Sequence, residues 1–240
     1  MYYYKVQERL NVIKVYGLHR SAYRLRYIWE RYIYRTRPTH FLFQGKKLPY
    51  LYSVRNLAWL TERTLEVPLL LPFLTEAYAN HKKVMEVGNV IRQYCPEFSH
   101  HDIVDKYEYR KGVINVDIID LKPKVKYDLI VSISTMEHVG FYDPDEYDSD
   151  KILTAFRLFR DEFLAPNGVA VITMPIGFNP EVDKRLREHL FPFSKVYFMK
   201  RVSKNNHWEE ATEEDALSKK FNSPFNHANA VVLGIIEANK

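Results

Sequence analysis

Only one cysteine, Cys95, occurs in the 240 residues, so no internal disulfide can form and no zinc site can be built on paired thiolates. No apolar run approaches the roughly eighteen residues that would span a bilayer, so no transmembrane segment is expected. The opening Met1-Tyr-Tyr-Tyr-Lys5 has neither the apolar core nor the small-residue cleavage site of a secretory signal. A reducing, cytoplasmic setting is therefore the expectation. There is no internal repeat and no low-complexity tract. Apolar residues, by contrast, are plentiful: they make up 46% of the chain, and aromatics 15%, which excludes an intrinsically disordered protein. The length suits one domain, or one domain with an extension.

Charge is unevenly placed. Residues 1–40 hold nine basic groups against Glu8 and Glu30, a local charge of +7 within a total of +5, which leaves −2 for the remainder. Such a segment attracts phosphates, acidic lipid or an acidic partner, and makes nucleic acid a conceivable partner of residues 1–40. A solvated helix face is the plainer reading.

Two textures divide the chain. Residues 1–80 read as a basic, aromatic-rich helical extension with little strand signal. Leu25, Ile28, Trp29 and Tyr32 fall at i, i+3, i+4 and i+7 on one helical stripe, with Gly17 as a break, Ser21 as an N-cap and Pro38 as a stop. A second helix is expected after Ser53, carrying Leu57 and Leu60. A third is expected from Pro68, where Leu69 to Leu74 form an apolar run that should be buried. Residues 81–240 alternate short apolar runs with helical patterns. Strands are expected at 84–87, 101–105, 113–116, 127–132, 168–173, 195–199 and 230–237, and a helix at 152–163. Near-continuous apolar strands between helices indicate a parallel sheet covered on both faces.

In such a sheet the ligand lies outside the carboxyl ends of the strands, near the switch in strand order. The first strand ends in Glu86-Val-Gly88-Asn89, an acid and a flexible glycine. The second ends in Asp105, able to accept two hydrogen bonds from a ribose diol. Asp117 follows the third and could accept from an exocyclic amine. Ser132 to Gly140, a polar loop containing His138, follows the fourth.

The stretches Val84-Met-Glu-Val-Gly88, Val116-Asp-Ile-Ile-Asp-Leu121, Tyr127 to Val139 and Phe163-Leu-Ala-Pro-Asn-Gly-Val-Ala-Val-Ile-Thr173 resemble the class I S-adenosylmethionine-dependent methyltransferases over residues 82–240. The resemblance implies a Rossmann-like α/β fold, a seven-stranded, mostly parallel sheet whose last strand runs antiparallel, and S-adenosylmethionine as cofactor. It places Glu86, Gly88 and Asn89 beside the methionine part, Asp105 at the ribose, Asp117 and Ile118 at the adenine, and Ser132 and Ile133 beneath the sulfonium. One departure stands out: the family's alternating glycines are reduced to Gly88, with Val90 and Arg92 at the later positions. Side chains there narrow the backbone's approach to a ligand.

Methyl transfer from a sulfonium is an in-line displacement, in which positioning and exclusion of water do most of the work. A base is required only where the acceptor must lose a proton. His138 is the candidate base, with a helix-start histidine as the plainer alternative. Tyr142 and Asp143 are candidates for meeting the acceptor. Adjacent His100 and His101 would face opposite sides of a strand, so no metal site is expected. Trp208 could stack on a sugar or base, or cap the core. The expected activity is methylation of a small-molecule or glycan-like acceptor. The alternatives are a nucleic-acid methyltransferase and a non-catalytic binding module.

Overall fold

A computed structural model describes residues 28–29, 31–141 and 147–239. Gly17, Ser21, Leu25, Tyr142 and Asp143 lie outside the described residues, as does most of the basic segment. Within the described part of the expected stripe, Ile28, Trp29 and Tyr32 are exposed and Ile33 is the residue that turns into the core.

The first ordered pair of strands was not among the expectations. Strand β1 (His40–Phe43) and strand β2 (Lys46–Pro49) form an antiparallel hairpin. Gln44 and Gly45 both have positive φ, 48° and 71°, the backbone twist that two-residue hairpin loops favour. The helix expected after Ser53 is only a single 3₁₀ turn, Arg55–Leu57. Asn56 and Leu57 adopt φ of 49° and 53° there, which stops propagation and leaves Leu57 exposed.

Helix α1 (Arg63–Ala79) begins five residues before Pro68 and carries both Pro68 and Pro72 in its interior. A proline cannot bond the carbonyl four residues back. For Pro68 that carbonyl belongs to Thr64, and it accepts the Leu51 N–H at 2.9 Å instead. Thr64 through Leu70 are buried without a gap, as expected of a helix enclosed on all sides. That run includes the carboxylate of Glu66.

Strands β3 (Val84–Val87), β4 (Asp102–Val104), β5 (Val113–Ile114), β6 (Tyr127–Ile133), β7 (Leu164–Pro175), β8 (Lys195–Arg201), β9 (Trp208–Ala211) and β10 (Ala230–Glu237) form one sheet in the order β5-β4-β3-β6-β7-β10-β8-β9. The first five of that order pair in parallel. β10 runs antiparallel between β7 and β8, and β9 antiparallel at the edge. This is the expected Rossmann-like sheet with its last strand reversed. The eighth strand, β9, is an addition, and the hairpin covers that edge through Gln44, whose backbone N–H and side-chain amide both donate to Glu210.

Alternation along β6 divides the two layers. Leu129, Val131 and Ile133 join α1 and the hairpin in one core, whereas Ile130 joins helix α2 (Lys151–Leu158) on the other face. The expected helical side Leu153, Phe156, Phe159 and Phe163 is buried, but the helix widens into a π-turn over Phe159–Phe163. The core on the α1 side draws on residues both before and after position 80.

Candidate active site

The chain passes from β3 outward to β4 and β5, then returns to place β6 on the other side of β3. The carboxyl ends of β3 and β6 therefore bound the topological switch point, where a crevice for a ligand is expected. Four of the sequence-predicted positions meet there. Gly88 N–H donates to the Val104 carbonyl at 2.8 Å, which brings Gly88 beside Asp105. Ser132 pairs with Val87 in register, and its hydroxyl donates to the Val87 carbonyl at 2.9 Å. Lys106, next to Asp105, forms an ion pair with Asp117 at 3.3 Å. Ile118 and Ile133 are both buried, in the cores on opposite faces of the sheet.

The polar groups of the crevice are already partly committed. Glu86 is 1% exposed and builds the loop: its Oε1 accepts from the N–H groups of Val90 and Ile91 at 2.6 and 2.7 Å, and its Oε2 lies 3.0 Å from His101 Nε2. The other ring nitrogen of His101 meets the Tyr78 hydroxyl at 2.6 Å. Glu86 thus acts on the ligand side only through the backbone it holds. Asp105 Oδ1 accepts from the N–H groups of Tyr107 and Glu108, an Asx-type turn that aims the carboxylate. Burial alone would push the Asp117 carboxyl up; Lys151 at 2.7 Å, the Ile119 N–H and Lys106 outweigh it and hold the group below its usual range. Asn89 is buried, donates to Glu108 Oε1 at 2.7 Å, and has an amide oxygen with no partner.

Gly88 has φ of +85°, and a Cβ there would run into the Thr135 hydroxyl. Val90 lines a separate cavity with Asn56, Arg63 and Tyr94, and the Arg92 guanidinium lies near Gly112 instead. The donor set fits a nucleoside. Two carboxylates stand on neighbouring strand ends, and the buried orphan oxygen of Asn89 is available to a donor such as an ammonium.

A second polar group, not foreseen from the sequence, joins α1 to the segment that follows β6. Arg63 donates to Glu66 at 2.6 Å and to the Ser134 carbonyl at 3.3 Å, and the Ser134 hydroxyl donates to Glu66 at 2.6 Å. Glu137 is 1% exposed, and its Oε2 has no partner. Burial pushes the Glu137 carboxyl well up, with Glu66 adding to the effect, and burial likewise raises Glu66 despite Arg63. The available signal was Glu66 itself, a lone acid amid the apolar run from Leu65 to Leu74.

His138 follows directly. Its Nε2 is 3.7 Å from Glu137 Oε1, and its ring meets Phe178 edge-on at 5.2 Å. Burial, with a contribution from Arg63, lowers its pKa to about 4. The imidazole is therefore neutral at pH 7: it has a lone pair to offer, but is a weak base. Between its ordinary value of 6.5 and about 4, the unfolded chain binds a proton that the native fold refuses. Stability contributed by this group is present above pH 6.5 and falls as the pH drops through that window. Urea midpoints across pH 7 to 4.5 should show a shallower decline for His138→Asn than for the unsubstituted chain. Equal slopes would contradict the depressed value.

Trp208 lies in a strand rather than a loop and belongs to the core. It starts β9, is 1% exposed, donates through Nε1 to Asn206 at 2.7 Å, and its N–H donates to the Tyr50 hydroxyl at 2.7 Å. Among the described residues no group of three His, Cys, Asp or Glu could hold a metal, and no helix is long and apolar enough to cross a membrane.

No family model matches the chain, and no curated protein matches it. Solved structures do align with it. An S-adenosylmethionine-dependent methyltransferase from Clostridium acetobutylicum is 14% identical, covering 70% of this chain and 89% of its own, with a TM-score of 0.37. The N-methyltransferase NodS from Bradyrhizobium japonicum, in complex with S-adenosyl-L-homocysteine, is 12% identical, covering 74% and 91%, with a TM-score of 0.42. TehB from Haemophilus influenzae is 11% identical, covering 74% and 65%, with a TM-score of 0.39.

Proposed function

We propose that this chain is an S-adenosylmethionine-dependent methyltransferase acting on a small-molecule or glycan-like acceptor. The observation that carries the reading is the proximity of Gly88, Asp105, Asp117 and Ser132 at the strand ends that flank the switch point of the sheet. These positions, scattered in sequence, would carry the polar groups of a nucleoside site. Asp105 would hold the ribose diol through the oxygen its own turn does not use. Asp117, with Ile118 as the apolar surface beside it, would read the adenine amine. Gly88 and Asn89 would face the methionine end. Ser132 gives its hydroxyl to Val87, so it and Ile133 shape the floor rather than bond a ligand.

When bound, the cofactor supplies a methyl group already activated on a sulfonium. What remains for the protein is to hold the acceptor's nucleophile in line and to keep water out. Neutral His138 can take a proton from an acceptor hydroxyl, although its depressed basicity suits a short-lived transfer rather than a stable one. Asp143, three residues after Gly140 in the sequence, would meet the acceptor.

Isothermal titration with S-adenosylhomocysteine tests the reading. The expected result is saturable binding that Asp105→Asn weakens by about tenfold, because one charge-assisted pair of ribose contacts is lost while the turn acceptor remains. Heat-silent titrations at millimolar ligand, together with an unchanged thermal midpoint, would remove the proposal.

A further inference from the structure

We infer that Tyr78 and His101 are positioning residues that hold the loop after β3 for the cofactor, which makes α1 part of the cofactor site. This rests on the methyl-transfer reading only in naming the ligand that the loop serves. The loop leaves β3 through Gly88 and continues with Asn89, Val90 and Ile91. Its path is fixed by the Glu86 carboxylate, which accepts the N–H groups of Val90 and Ile91 at 2.6 and 2.7 Å. Glu86 shares its face of β3 with Val84, which belongs to the core on the α1 side. His101, one residue before β4, closes on it there. Its Nε2 lies 3.0 Å from Glu86 Oε2, and both side chains are 1% exposed. A carboxylate only accepts, so Nε2 carries the hydrogen. His101 Nδ1 is 2.6 Å from the Tyr78 hydroxyl, which also accepts the His100 N–H at 3.1 Å. The hydroxyl's own hydrogen is left for Nδ1, and the imidazole is tied at both ends.

Tyr78 is the penultimate residue of α1, and Phe98 packs edge-on against its ring at 5.0 Å. The other end of the same helix grips the segment after β6. Arg63 donates to the Ser134 carbonyl, and Glu66 accepts from the Ser134 hydroxyl. Ser134 is held at φ of 36°, a conformation that side chains of its kind rarely adopt. One helix thus fastens both segments that flank the switch point. They touch where Gly88 faces Thr135, with no room for a Cβ between them. Removing the His101 donor would leave a buried carboxylate oxygen bare, which is costly. Glu86 would then turn toward another donor and draw the Val90 and Ile91 N–H groups with it, shifting the backbone beside Gly88.

The experiment titrates the full chain with S-adenosylhomocysteine and, in the ligand-free chain, follows amide exchange by NMR. His101→Leu should weaken binding by about tenfold, the scale of one hydrogen bond to a charged group. His101→Gln, whose side-chain amide can still donate to Glu86, should return the affinity to within about threefold of the unsubstituted chain. A purely structural role would lower stability without changing the affinity of the molecules that remain folded. Without ligand, His101→Leu should speed exchange at Val90 and Ile91 more than at Leu233 in β10, which reports global opening. Nitrogen NMR should find a hydrogen on His101 Nε2. Tyr78→Phe, which removes one hydroxyl, should act in the same direction more weakly, and it decides if His101→Leu fails to fold. Affinity unmoved by the substitution, a His101→Gln variant no better than His101→Leu, or a bare Nε2 would each overturn the proposal and leave methyl transfer standing. A chain that binds no S-adenosylhomocysteine defeats the methyl-transfer reading instead. The exchange rates then decide the positioning role, and equal rates at Val90 and Ile91 with and without the substitution sink it.

Discussion

Arg63→Ala should cost about 3–5 kcal/mol of folding stability, the scale seen when one partner of a buried ion pair is removed. The Glu66 carboxylate is fully enclosed in α1, and its partner is 2.6 Å away with a side chain only one-fifth exposed. Without the guanidinium, Glu66 keeps the Ser134 hydroxyl but loses the counter-charge beside it, while Glu62 and Glu137 continue to repel it. The Ser134 carbonyl also loses a donor. Because burial has already raised the Glu66 carboxyl, the variant should protonate it, so the loss should be larger at pH 8 than at pH 5. Glu66→Gln in the Arg63→Ala background should restore a substantial part of the stability by removing the stranded charge. Urea denaturation of the two single variants and the double variant measures this directly. Additive losses would show that the pair does not act as a unit.

Gly88→Ala should cost about 2–5 kcal/mol and abolish ligand binding in the same step. Two penalties coincide. A φ of +85° lies where an L side chain is strained by roughly 1–2 kcal/mol, and the added methyl meets Thr135, a branched and rotationally stiff neighbour, which adds overpacking of about 1–3 kcal/mol. Thr135 has little room to turn, since its hydroxyl donates to the Ile133 carbonyl at 3.0 Å. Thr135→Ala should therefore recover part of the loss in the double variant, leaving only the backbone strain. Gly45→Ala is the control: its φ is +71°, but nothing lies within 4 Å of the new methyl, so it should cost only the strain. A Gly88→Ala variant as stable as Gly45→Ala would show that the contact with Thr135 carries no weight.

Much of the sheet was legible because buried parallel strands read as near-continuous apolar runs. Val84–Val87 and Ala230–Glu237 occur at the residues expected, and Tyr127–Ile133 extends one residue further. Less was legible where the local signal was weak or ambiguous. Phe41-Leu42-Phe43 followed by Gln44-Gly45 was a usable hairpin signal, overshadowed by the helical texture around it. Trp208 in β9 is preceded by polar residues that read as a loop. Only the approach of Tyr50 and Asn206 turns it into core. The start of α1 was obscured by Pro68, since the Leu51 N–H that compensates for it comes from a separate segment.

From the chain alone came the seven strands of the main sheet and the polar residues at their ends, both written in short-range patterns, but not the hairpin or β9. Only the folded molecule decided how the carboxylates are employed: Glu86 to its loop, Asp117 to two lysines and Glu66 to Arg63. The physical reason is distance. A carboxylate's role is set by which charges and donors stand within a few ångströms and by how little water remains there, and for Glu66 and Ser134 those neighbours are 68 residues apart in sequence.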